Sequence, residues 1–265
     1  MAVTCGLAGA LALMIVGSSP AFAQAFFHNQ AHCMDVKAPP QRRIEACTRL
    51  VDEGGGPDSE IAALAALGAL YRGLHQYAQA IEAYSRALGY EALGVSDTHE
   101  ELTLPGQSVS LASSRLLIVA LEGRAEVYAL SHRPDLALAD MAHVFKLAPD
   151  SATSYAARCR IRAIIKSDLD QALADCEEAA KLAPKDTQVL GAAGFLQYQL
   201  GHLKEALADF GAVLSDNPKL AGALYMRGVI RLRSGDTAAG NADIAEANDE
   251  YPGIEANFAD LGVRP

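Results

Sequence analysis

Asp135-Leu136-Ala137-Leu138-Ala139-Asp140, followed by Lys146-Leu147-Ala148-Pro149, decides the fold because the chain repeats it. Asp170-Gln171-Ala172-Leu173-Ala174-Asp175 leads to Lys181-Leu182-Ala183-Pro184, and Lys204-Glu205-Ala206-Leu207-Ala208-Asp209 leads to Ser215-Asp216-Asn217-Pro218. A further copy closes on Asp249-Glu250-Tyr251-Pro252, and the prolines are spaced 35, 34 and 34 residues apart. Tyr77-Ala78-Gln79-Ala80-Ile81-Glu82-Ala83-Tyr84 keeps the spacing without the final proline. Each copy is Ala-rich and amphipathic, and a proline ends it, because its ring cannot continue a helix. A period of this length is the signature of stacked supersecondary units.

The period holds two helices per unit, with turns at Ser131–Pro134, Lys166–Leu169, Gly201–His202 and Gly235–Asp236. This pattern resembles the tetratricopeptide repeat family. That family places a large residue at repeat position 4, a small one at 8 and an aromatic at 11, then Ala at 20, a large residue at 24, Ala at 27 and Pro at 32. The first repeat matches through Leu64, Gly68, Tyr71, Ala80, Tyr84 and Ala87. The second matches through Leu121, Ala125, Tyr128, Ala137, Met141 and Pro149, and the fourth through Leu190, Gly194, Ala206, Phe210 and Pro218. The third carries Tyr155, Cys159, Ala172, Cys176 and Pro184, with one extra residue in its turn; the fifth carries Leu224, Gly228, Gly240, Ile244 and Pro252. Gln197, Arg162 and Arg231 depart from the pattern, standing where the family has an aromatic. The resemblance implies an all-α, right-handed α-solenoid of stacked helix-turn-helix repeats over residues 61–252, with an insertion at 91–114. Residues 24–60 then form an N-terminal cap with a half-repeat helix at 40–53, and residues 253–265 a C-terminal capping helix that turns Phe258 and Leu261 inward. One helix pair cannot bury its apolar face alone, so the units must stack.

Residues 2–23 hold no charged side chain and end on Ala21-Phe22-Ala23, so residues 1–23 read as a secretory signal cut before Gln24. The alternative is an uncleaved membrane anchor, against which the apolar stretch is short for a span of ~20 residues; no membrane span is expected after cleavage. Export to the periplasm or beyond implies an oxidising compartment, and Cys33, Cys47, Cys159 and Cys176 remain as an even set with three possible pairings. In the repeat register Cys159 and Cys176 occupy facing positions 8 and 24, and Cys47 also falls at position 24 of its half-repeat. The register thus implies Cys33–Cys47 and Cys159–Cys176. The run Arg43-Ile44-Glu45-Ala46-Cys47-Thr48-Arg49 behind Cys33 also resembles exported bacterial members of the family.

The net charge of −10 argues against a nucleic-acid partner, since phosphate binding needs a surplus of Lys and Arg. No phosphate loop, zinc-protease motif or nucleophile elbow occurs, so neither catalysis nor a cofactor is expected. His28 and His32 stand beside Cys33 at helical spacing, too small a set for a metal site. Gly54-Gly55-Gly56 follows a helix and reads as its stop. The resemblance implies instead a protein or peptide ligand in a concave groove lined by first helices. It maps that lining onto Arg72, Glu122, Glu126, Arg160, Phe195, Tyr198, Tyr225 and Arg233. Arg and aromatic residues are enriched at binding hot spots, although Glu126 and Arg160 can equally pair with each other and the Tyr rings pack between repeats. Ala65 and Ala69 stand where the family's dicarboxylate clamp has Lys and Asn. An adaptor is thus the first reading, and a structural subunit that oligomerises through its repeats the second.

Overall fold

The computed structural model describes residues 28–35, 37–92, 103–104, 107–108, 111–166 and 168–265. The signal expected over 1–23 lies outside the described residues, as does most of the 91–114 insertion. A short helical segment, α1 (residues 28–34), precedes α2 (Pro40–Glu53). Five helix pairs follow: α3 (Pro57–Gly73) with α4 (Tyr77–Ala92), α5 (Leu111–Leu130) with α6 (Pro134–Leu147), α7 (Ala152–Ile165) with α8 (Leu169–Leu182), α9 (Thr187–Gln199) with α10 (Leu203–Asp216), and α11 (Ala221–Arg233) with α12 (Thr237–Glu250). The chain ends on α13 (Ile254–Asp260). Between α4 and α5, Thr103–Leu104 pairs antiparallel with Gln107–Ser108.

Each pair is an antiparallel hairpin, and each odd-numbered helix from α3 to α9 also packs on the next odd-numbered one. The odd helices therefore form an inner layer and the even helices an outer one. The core forms two clusters that meet at α7, which contributes Ile161 to the N-terminal one and Ala156, Cys159 and Ala163 to the C-terminal one.

The elements begin and end where local chemistry requires. Pro40, Pro57 and Pro134 open α2, α3 and α6, at positions where a missing N–H costs nothing. Asp186 caps α9 by accepting hydrogen bonds from the backbone N–H of Gln188 (2.8 Å) and Val189 (3.2 Å). Gly54 closes α2 in the left-handed conformation, at φ 68°. The turn inside every pair needs one left-handed residue, and His75, His132, Lys166, Gly201 and Gly235 supply it with φ between 58° and 88°. The longer third turn carries a second one, Asp168 at φ 51°.

Close approach within a pair depends on small residues. In the last pair Gly228 and Gly240 meet so tightly that a Cβ on either would stand 2.9 Å from the other's carbonyl oxygen. In the first pair the Tyr84 ring fills the space beside Gly68 and is almost wholly buried. Two disulfides tie the structure: Cys33 to Cys47 joins α1 to α2, and Cys159 to Cys176 joins α7 to α8.

Candidate functional site: the concave groove

The inner helices line a groove of about 670 Å³. Five of the eight residues mapped from the sequence reach it: Arg72 from α3, Glu122 and Glu126 from α5, Arg160 from α7 and Phe195 from α9. Gln188 and Gly191 add to the α9 wall. Tyr198, Tyr225 and Arg233 lie outside the lining. Tyr198 is buried with the Arg233 guanidinium 4.8 Å above its ring, and Tyr225 is buried beneath Phe258, with ring centroids 4.8 Å apart.

A charged cluster sits on the groove wall. Arg160 donates through Nη1 and Nη2 to both oxygens of Glu126, at 2.5 and 3.0 Å, and Arg72 donates to Glu126 Oε2 from the other side. Three successive inner helices are thereby joined through one buried carboxylate. Burial alone would raise the Glu126 carboxyl, but the guanidiniums of Arg160 and Arg72 outweigh it and hold it at about 2. Glu122 stands one turn away with a buried Oε1 that accepts no hydrogen bond. Burial lifts it to about 7 against the pull of Arg160. The groove lining thus sets two guanidiniums, Arg72 and Arg160, against three carboxyl groups, Glu122, Glu126 and Asp260.

A second set of ions serves packing. Arg124 grips Asp140, Arg158 grips Asp175 and Arg227 grips Asp243, each by two donors at 2.6–2.9 Å, joining inner to outer helix. The Asp partners recur with the 34-residue period at the end of each Ala-rich block. That signal was available in the sequence, whereas the pairing itself needed the hairpin geometry.

The α13 segment forms the opposite wall of the groove, through Ile254, Asn257, Phe258, Asp260 and Leu261. Tyr77 donates its hydroxyl proton to Asp260 Oδ2, and His75 Nδ1 lies 2.5 Å from the same oxygen. Nothing local in the sequence marks these contacts, because they join residues 183 and 185 positions apart. On α1 the His28 and His32 rings lie 4.3 Å apart, and the neighbouring Cys33 sulfur is committed to its disulfide. Among the described residues no group of three or more His, Cys, Asp or Glu could hold a metal ion.

The layered hairpins, the inner-helix groove and the recurring small-residue contacts can be compared with solved structures. A thermophilic tetratricopeptide-repeat protein of Thermus thermophilus matches with a TM-score of 0.55 at 16% identity, over 77% of this chain and 97% of that one. The chain has the tetratricopeptide-repeat fold. A tetratricopeptide-repeat protein of Parabacteroides merdae matches at 19% identity over 90% of this chain and 84% of that one, with a TM-score of 0.47. Pseudomonas aeruginosa pilF matches at 14% identity over 77% and 82%, also with a TM-score of 0.47. No protein-family model matches the sequence, and no curated protein matches it. Among the described residues, no helix of this tetratricopeptide-repeat fold is long and apolar enough to cross a membrane.

Proposed function

We propose that the chain is a non-catalytic interaction module, exported to the periplasm or beyond, which binds a peptide or helix of another protein in its concave groove. The observation that carries this reading is the groove wall itself. Arg72, Glu126 and Arg160 hold a charged surface rigid across three helices, with Phe195 and Gln188 beside it. Such a mixture of fixed charge and apolar wall suits recognition of a peptide or helix. Two disulfides are compatible with the oxidising compartment that the N-terminal pattern implies.

The test uses a photo-crosslinking residue placed in the cell-expressed full chain at Gln188 in the groove, with the exposed Glu177 on the outer layer as control. A protein crosslinked from 188 and absent from 177 is the expected result. A second chain carrying Gly191→Trp should lose that product. A Cβ at Gly191 meets open space, so the indole fills the groove without a clash at its root. Crosslinks from 177 alone would move binding to the convex face and end the groove reading.

A further inference from the structure

The C-terminal segment does more than cover the last repeat. Gly253 turns it back in the left-handed conformation, at φ 89°. Its apolar side chains lie on both sides of Asp260: Phe258 stacks on Tyr225 and lies against Gly222, and Ile254 and Val263 are buried. Between them Asp260 reaches Tyr77 and His75 at the turn between α3 and α4. One short helix thus joins the last repeat to the first across the open side of the groove. A helix that only sealed the edge of α12 would have no use for a carboxylate held by the first repeat.

The two kinds of contact differ in strength. The polar one is about one third exposed on each side, where water screens the attraction. The apolar ones keep their purchase through burial.

We infer that α13 is a built-in latch closing one side of the groove, and that the partner displacing it is a short amphipathic helix of the same chemistry. That helix carries apolar side chains at i, i+4 and i+7, as Ile254, Phe258 and Leu261 do, and a carboxylate at i+6 in the place of Asp260. The inference rests on the groove reading proposed above and adds its occupant and its regulation.

The experiment uses the full chain and a fluorescein-labelled synthetic peptide of residues 251–265, with binding followed by anisotropy. Wild type, Asp260→Ala and the double variant Phe258→Ala with Asp260→Ala are compared after circular dichroism confirms their helicity. The labelled peptide should bind the double variant at least tenfold more tightly than wild type, with the single variant between them. Equal affinity for all three chains, or binding to none, overturns the latch. Should the double variant fail to fold, Asp260→Ala carries the test alone, since Asp260 lies at the surface. A peptide carrying Phe258→Ala and Asp260→Ala should bind the double-variant chain at least tenfold more weakly than the unaltered peptide, and equal binding overturns the stated partner chemistry. A wild-type chain that sediments as a dimer and dissociates on Asp260→Ala would make the occupant a second copy and overturn the intramolecular latch. Capture of a partner from position 188 is independent of these readings, so the latch can fail while the groove stands, or the reverse.

Discussion

Glu122 and Glu126 lie one helical turn apart on α5, yet burial and neighbours drive their acidities in opposite directions. Glu126 is gripped by two guanidiniums and held at about 2, whereas Glu122 has a buried oxygen without a partner and rises to about 7. The two residues set opposite limbs of the stability profile. Glu122 binds its proton more tightly folded than unfolded, so its contribution is complete below about pH 4.5 and is lost as pH rises to about 7. Glu126 releases its proton more readily when folded, so its contribution is present above about pH 4.5 and is lost as pH falls toward 2. Glu122→Gln removes only the first limb. The variant should be more stable than wild type at pH 8 by about 3 kcal/mol and show no such gain at pH 4.5, because a shift of one unit corresponds to about 1.4 kcal/mol. Urea unfolding at the two pH values checks this, and an equal effect at both would show that Glu122 does not titrate between them.

At the scale of the helix pair, the chain uses one device three times and omits it twice. Arg124–Asp140, Arg158–Asp175 and Arg227–Asp243 each clamp an inner helix to its outer partner. The fork of a guanidinium matches the two oxygens of a carboxylate, which fixes the rotation of one helix against the other. In the first pair the corresponding residues are Leu67 and Ala83, both buried, and the clamp is replaced by apolar contact. In the fourth pair the acid persists as Asp209 but Ala193 stands in the Arg position, and burial and the nearby Glu205 raise the Asp209 carboxyl. Ala193→Arg should restore the clamp, bring the Asp209 carboxyl back down and stabilise the chain by about 1 kcal/mol, the scale of a partly exposed ion pair. Thermal melts together with carboxyl NMR titration would read both effects. An unchanged Asp209 titration would mean that the hairpin geometry of the fourth pair differs from its neighbours.

Over the whole molecule, stability in a stacked array is a sum of units and the interfaces between them. The two disulfides sit at different places in that sum. Cys33–Cys47 holds α1 at the end of the stack, where Asn29 also donates to Glu53 at 2.9 Å and Arg43 to the Cys33 carbonyl at 3.1 Å. Cys159–Cys176 closes a 17-residue separation inside the central pair, within the C-terminal cluster of the core. Loops of this length correspond to about 3 kcal/mol in the chain-entropy account. Replacing Cys159 and Cys176 together by Ser should lower global stability by about that amount. Replacing Cys33 and Cys47 together should chiefly release α1, seen as fast amide exchange at residues 28–34 with the midpoint of the main transition little moved. Equal global losses would mean that the N-terminal cap and the solenoid unfold as one unit.

Much of this architecture was legible in the sequence because it is local and repeated. The 34-residue period, the prolines, the turn residues and the alternation of small and large side chains each act within one helix pair, so each copy states the same instruction independently. The register also placed Arg72, Glu122, Glu126, Arg160 and Phe195 on the inner helices, because position in a helical repeat determines the face a side chain occupies. Tertiary structure alone decided which of these residues are spent on one another and which remain open. Glu126 binds two arginines from neighbouring repeats, Tyr225 is covered by Phe258, and Asp260 crosses the groove to His75 and Tyr77. Those contacts depend on the curvature of the entire stack, which brings both its first and its last repeat against the α13 segment. Curvature accumulates over many small rotations between units, and no single stretch of residues encodes it.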